Sequence, residues 1–175
     1  MTYFDNLCRA MEAIAEHPRS IFLGQAVSCA GTGMSRSFEK VPREKLLELP
    51  VAEDMQLGMS IGLSLDGMLP VSIYPRVNFL LLAMNQLVLH LDAIPRYSAF
   101  RPKVIIRTAV CSPEPLDPGP QHLGEFAGAL RMMLQKVRVV QLRVAGQIVD
   151  HYKEAVERTE STILIEYPSL YSSEH

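Results

Sequence analysis

Cysteine is scarce and unpaired in this 175-residue chain: Cys8, Cys29 and Cys111 are odd in number, widely spaced and never in a CxxC arrangement. That excludes a disulfide scaffold and a zinc site built on paired thiolates, and the three read as reduced thiols. An excess of either charge is lacking too. A formal net charge of −2 and a pI near 6.2 leave no electrostatic footprint for nucleic acid, and no run of like charge marks a membrane surface or a disordered tail. No apolar stretch is unbroken long enough to span a bilayer, and the start has no basic segment leading into a signal-length apolar core. The sequence therefore predicts a soluble cytoplasmic protein. Repeats, low-complexity segments and linkers are absent, which predicts one domain over residues 1–175, long enough for a proper core.

What is present alternates. From residue 4 to 17 apolar side chains recur at helical spacing (Phe4, Leu7, Met11, Ile14) until Pro18 stops the helix. Residues 21–23, ending at Gly24, read as a strand and 30–33 as a loop. After Pro50 a helix over 55–65 places Gly58 and Gly62 on one face, where small residues permit close packing, and Gly67 ends it. A strand over 70–74 and a long, largely buried apolar helix over 79–91 follow. Residues 103–108 read as a central strand, and then comes a loop with Pro113, Pro115, Pro118 and Pro120. A helix near 124–134, a strand at 137–142, a helix near 145–158 and a strand at 162–166 complete the chain. The alternation predicts an α/β fold with a parallel sheet flanked by helices on both faces. In such sheets ligands gather at the carboxyl ends of the strands, although the fold alone names none.

The stretch LPVAEDMQLGMSIGLSLDGMLPV over 49–71 resembles the pyrimidine-binding domain of transketolase and of the beta subunits of 2-oxoacid dehydrogenases, which are thiamine-diphosphate enzymes. In that family a proline, a glutamate, a glycine-spaced helix and a Gly-x-x-Pro turn occur in this order. The likeness continues through Asn78-Phe79 to Asn85-Gln86, Arg96-Tyr97-Ser98, Ile105-Ile106-Arg107 and Gln121-His122, and on through the last helix and strand, covering nearly the whole chain.

The resemblance implies that Glu53 is the catalytic, cofactor-activating glutamate. Hydrogen bonded to a ring nitrogen of the aminopyrimidine, it promotes the imino tautomer that takes the proton from the reactive thiazolium carbon. On position alone Glu53 reads as a helix-start carboxylate favoured by the dipole. Phe79 matches the cofactor-binding aromatic residue that packs on the aminopyrimidine, a contact worth about 1 kcal/mol beyond burial; its plain alternative is core packing. His122 matches a catalytic imidazole that faces the substrate and donates a proton or hydrogen bond to its carbonyl or carboxylate; its alternative is a surface-loop histidine.

The departures from the family carry implications of their own. Gln25 stands where an acid usually follows the glycine, residues 108–111 replace a glycine-rich turn, and Leu123 replaces a serine. Absent are the Gly-Asp-Gly and following asparagine that hold magnesium and the diphosphate, and the further domain that usually follows the strand matching 163–166. The resemblance then implies a split enzyme in which thiamine diphosphate and Mg2+ are bound mainly by a separate chain carrying the diphosphate-binding domain. It would be a heterotetramer with the active site at the interface, decarboxylating a 2-oxoacid or transferring a ketol unit, and with no metal ligand in this chain. Met84, Leu87, Val88 and Leu91 are candidate subunit contacts or ordinary core. Two other readings stay open: a non-catalytic assembly or regulatory module that keeps the fold, and a flavodoxin-like nucleotide binder. For the latter, Ala30-Gly31-Thr32-Gly33 is a poor phosphate-cradling loop.

Overall fold

The first helix, α1 (Tyr3–Ala15), starts at a reciprocal cap. Thr2 Oγ1 accepts the Asp5 N–H at 3.1 Å while the Asp5 carboxylate accepts the Thr2 N–H at 2.8 Å, satisfying two donors that the first turn leaves free. Leu7, Ala10, Met11 and Ile14 then recur on one buried face. The computed structural model of the chain describes residues 1–29, 31–113 and 117–174. After α1 come β1 (Ser20–Gly24), α2 (Gly33–Arg36), β2 (Leu46–Glu48), α3 (Glu53–Leu65), β3 (Leu69–Tyr74), α4 (Val77–Leu80), α5 (Ile94–Tyr97), β4 (Ile105–Ala109), α6 (Ala127–Met133), β5 (Arg138–Gln141), α7 (Ile148–Glu157) and β6 (Thr162–Glu166). The six strands form one sheet in the order β2-β1-β3-β4-β6-β5, and every pairing is parallel.

Period-two alternation along the strands divides the core between the two faces. Val71, Ile73, Ile105, Ala109 and Leu164 pack under α1 and α7, whereas Tyr74, Ile106, Ile163 and Ile165 pack with α3, α4 and α6. Helices on both faces explain why β3, β4 and β6 are buried along their whole length and read as nearly continuous apolar runs. One ion pair interrupts the first of these cores. Arg107 on β4 and Glu166 on β6 are both fully buried and meet in two parallel hydrogen bonds of 2.7 and 3.2 Å.

The structure differs from the sequence expectation in two places. Residues 79–91 are not one buried helix. α4 passes into a 3-10 turn (Leu81–Ala83) and then a π-helix (Asn85–Leu91), with a 59° bend between the halves. Leu80, Ala83, Leu87 and Leu91 are buried while Leu82 and Leu89 are left 63% and 57% exposed. Of the candidate subunit contacts, Leu87 and Leu91 therefore belong to the chain's own core. No single helix among the described residues is long and apolar enough to cross a membrane. Second, α2 and the short edge strand β2 arise where no periodicity pointed. Gly33 opens α2 behind the Thr32 cap instead of lying in a loop, and of the loop residues Ala30 and Pro115 lie outside the described residues.

Candidate functional site

The chain leaves β1 toward β2 on one side and leaves β3 toward β4 on the other, so the direction of winding reverses between β1 and β3. Open parallel sheets bind ligands outside the carboxyl ends of the strands at such a point. Gln25 follows β1 there, Glu53 follows β2, Arg76 to Phe79 follow β3, and His122 lies in the loop after β4. At the reversal the two strands are pressed together. Gly24 has φ +141°, and a Cβ on it would lie 2.3 Å from the Ile73 carbonyl oxygen and 2.8 Å from Gln56 Nε2. Gln56, fully buried on α3, closes the crevice by donating to Ser72 Oγ at 3.0 Å and to the Ile73 carbonyl at 2.9 Å.

Glu53 is the first residue of α3, as the helix-start reading requires, but it is 5% exposed where a solvated first-turn acid would be open like its neighbour Asp54. Its carboxylate Oε1 accepts from Gln25 Nε2 at 3.1 Å, and its carbonyl accepts from Tyr74 Oη at 3.1 Å. Burial holds the Tyr74 phenol well above its ordinary pKa, so it stays a neutral donor. Gln25 itself is placed by the turn behind it. Glu48, at the end of β2, accepts the backbone N–H groups of Ala26, Val27, Ser28 and Cys29 at 2.7 to 3.2 Å, a turn that needs φ +57° at Ala26. Burial disfavours the charge on Glu48, but the four amides outweigh it and hold the carboxyl below its ordinary value.

The other two residues singled out from the sequence meet each other. The Phe79 and His122 rings are 5.7 Å apart between centroids and inclined at 67°, an edge-to-face contact. His122 ends a 3-10 turn (Pro120–His122), its N–H bonded to the Gly119 carbonyl at 3.0 Å. Asn78 ties that turn to α4 by donating to the Gln121 carbonyl at 2.8 Å. Two polar atoms of this cluster, His122 Nδ1 and Asn78 Oδ1, are buried without a hydrogen-bond partner. The hydrogen bond of the Glu53 carboxylate goes to Gln25 and not to either ring. Glu53 and the Phe79–His122 pair share the carboxyl end of the sheet, with no hydrogen bond between them among the described residues.

Sequence reasoning missed Glu48 and Gln56. Only Gln25 carried a signal, as a departure from the family, and the structure gives it a task as the donor to Glu53. A cavity of about 480 Å³ lies elsewhere, under α2, lined by Val27, Phe38, Val41, Leu46, Arg36 and Arg43 among others. None of Glu53, Phe79 and His122 lines it. Among the described residues no cluster of three or more His, Cys, Asp or Glu could hold a metal ion.

The chain is a doubly wound parallel α/β domain with polar side chains gathered at the strand reversal. No protein-family model matches the chain. It is 27% identical over 174 residues to the pyruvate dehydrogenase E1 component subunit beta of Staurastrum punctulatum, a likeness that covers 92% of this chain and 50% of that one. Among solved structures, a split-gene transketolase in an inactive beta4 tetramer superposes with a TM-score of 0.67 at 20% identity, over 98% of this chain and 52% of that one. The chain thus spans about half the length of each. The chain is thus similar in sequence to a dehydrogenase beta subunit and shares its fold with a transketolase chain.

Proposed function

We propose that the chain is the pyrimidine-domain subunit of a split thiamine-diphosphate enzyme that either decarboxylates a 2-oxoacid or transfers a ketol unit. The observation that carries the reading is the buried Glu53 carboxylate at the strand reversal, fixed by Gln25. The residues present fit the aminopyrimidine end of that cofactor. Glu53 offers a desolvated carboxyl for a ring nitrogen, and Phe79 offers a flat apolar face already set by an edge contact. When bound, thiamine diphosphate supplies the nucleophilic carbon that attacks a substrate carbonyl. The task of Glu53 is to hold a proton on the aminopyrimidine nitrogen, and that of His122 is to donate a proton or hydrogen bond to the substrate oxygen. The unpartnered His122 Nδ1 supports a ligand at that position.

Magnesium and the diphosphate are assigned to a separate chain that closes the site, in a heterotetramer. Val51, Met55, Leu82 and Leu89 are apolar and exposed on the segments that carry Glu53 and follow Phe79, and they suit such a contact better than the buried Leu87 and Leu91. Because the solved relative is an inactive beta4 tetramer, a second reading is kept: a module that preserves the fold and has lost turnover.

The test is calorimetric titration of thiamine diphosphate and magnesium into the chain alone and mixed with the protein encoded beside it. Heat of binding is expected only in the mixture. Glu53→Gln should then lower turnover of the complex by about 100-fold or more with the fold intact. Turnover unchanged by Glu53→Gln would sink the catalytic reading, and no binding in either sample would leave the module.

A further inference from the structure

Glu125 lies in the loop between β4 and α6, just after His122, and ties that loop to the ends of β5 and β6. Its carboxylate Oε2 accepts from three side chains: Tyr167 Oη at 2.8 Å, Gln141 Nε2 at 3.3 Å and Arg143 Nη2 at 3.3 Å. Gln141 ends β5 and Tyr167 directly follows β6, so one oxygen is held from two strands. The donors also hold one another. Gln141 Nε2 donates to Tyr167 Oη at 2.6 Å, and the Arg143 guanidinium lies 4.4 Å from the centroid of the Tyr167 ring. The second oxygen of Glu125, Oε1, accepts the Ala127 N–H at 3.2 Å, where α6 begins.

His122 sits between this anchor and another. On one side the Gln121 carbonyl is held by Asn78 at 2.8 Å. On the other, only Leu123 and Gly124 separate His122 from Glu125, and the Phe126 ring closes over Gly124 so tightly that a Cβ there would lie 2.4 Å from it. The anchor is poorly suited to stabilising the fold as a whole. Arg143 and Glu125 are 58% and 40% exposed, and ion pairs open to water add little stability. Charge-assisted bonds that converge on one oxygen do fix a geometry.

We infer that Glu125 is a positioning residue that sets the His122 imidazole through the loop they share, with Tyr167, Gln141 and Arg143 as its frame. The structural part stands by itself; the consequence for turnover rests on the function proposed above. An imidazole that gives a proton or hydrogen bond to a substrate oxygen must lie within hydrogen-bond reach of it, and a small misplacement costs rate steeply.

The test is NMR of the intact chain, following the ring carbon and proton signals of its five histidines, with those of His122 assigned from a His122→Gln variant. The Phe79 ring, in edge-to-face contact with His122, displaces these signals, and Phe79→Leu measures by how much. Glu125→Ala should move the His122 signals by at least half of that displacement and leave the other histidines in place. Tyr167→Phe, which removes only the hydroxyl, should move them the same way by less. Glu125→Gln, which still offers an acceptor oxygen, should restore most of the wild-type position. His122 signals that stay unmoved in Glu125→Ala and Tyr167→Phe overturn the inference, and if Glu125→Ala does not fold, Tyr167→Phe decides alone. In the complex with partner protein, thiamine diphosphate and magnesium, Glu125→Ala should lower kcat about tenfold or more at unchanged cofactor affinity. Loss of turnover in His122→Ala but not in Glu125→Ala overturns the inference. Displaced His122 signals with turnover intact in both variants keep the positioning and remove the catalytic role of His122 proposed above.

Discussion

Replacing Glu166 by glutamine keeps its shape and removes its charge, leaving Arg107 charged and buried. Both side chains are 0% exposed, so water cannot repair the loss. Burial pushes the Arg107 pKa down, and the Glu166 charge more than restores it. Breaking a fully buried pair on one side costs about 3–5 kcal/mol, a large share of the roughly 5–15 kcal/mol that holds a domain folded. At this chain length that corresponds to a fall in Tm of roughly 6–20 °C. Because the sequence has no tryptophan, unfolding in urea is best followed by far-ultraviolet circular dichroism. The double variant Arg107→Met, Glu166→Leu removes both charges and should be more stable than Glu166→Gln. It should still fall short of wild type, because the Tyr171 hydroxyl loses its Glu166 acceptor and Ser37 Oγ, still donating to the Met34 carbonyl, loses its Arg107 donor, at about 1 kcal/mol each. A Glu166→Gln variant within about 1 kcal/mol of wild type, set against the cost usual for such pairs, would falsify the claim that the pair is sealed from solvent.

Gly24→Ala should destabilise the fold by about 2–4 kcal/mol, because the new Cβ meets a backbone carbonyl at 2.3 Å in a positive-φ conformation and the crevice cannot open without parting β1 from β3; a thermal melt checks it, and an unshifted Tm refutes the close approach. Glu48 contributes a pH dependence of definite sign. Its folded pKa lies below the ordinary 4.5, so the stability it adds is complete above that value and is lost as pH falls through the folded pKa. The advantage of wild type over Glu48→Gln in urea denaturation should therefore be constant near neutrality and shrink below about pH 4.5, the ordinary glutamate range. An advantage that grows on acidification contradicts the amide cradle.

The polar site was less legible in the sequence than the fold. Glu53, Phe79 and His122 were found through their resemblance to a family. Position alone made Glu53 a helix-start acid, and only its 5% exposure and the Gln25 hydrogen bond distinguish it from Asp54. Glu48 and Gln56 were hidden because their partners lie on other strands or across a turn.

Local periodicity determined most of the elements. The apolar spacing of α1, the Val-Ile-Ile run leading into β4 and the strand at Thr162–Glu166 each reflect a pattern carried by neighbouring residues, which survives without the rest of the molecule. The three-residue β2 had no such repeat and exists because β1 offers it an edge to pair with. The broken helix after Phe79 was invisible for the converse reason. Its residues are mostly apolar and its buried leucines keep ordinary helical spacing, so the pattern carries no sign of the π turns. At the end of that segment the buried Asp92 carboxylate receives the N–H groups of Gln135, Lys136 and Val137. Strand order, and with it the reversal between β1 and β3 that brings Gln25, Glu53 and Arg76 to one edge, depends on contacts between residues far apart in the chain, and those only the tertiary structure decides.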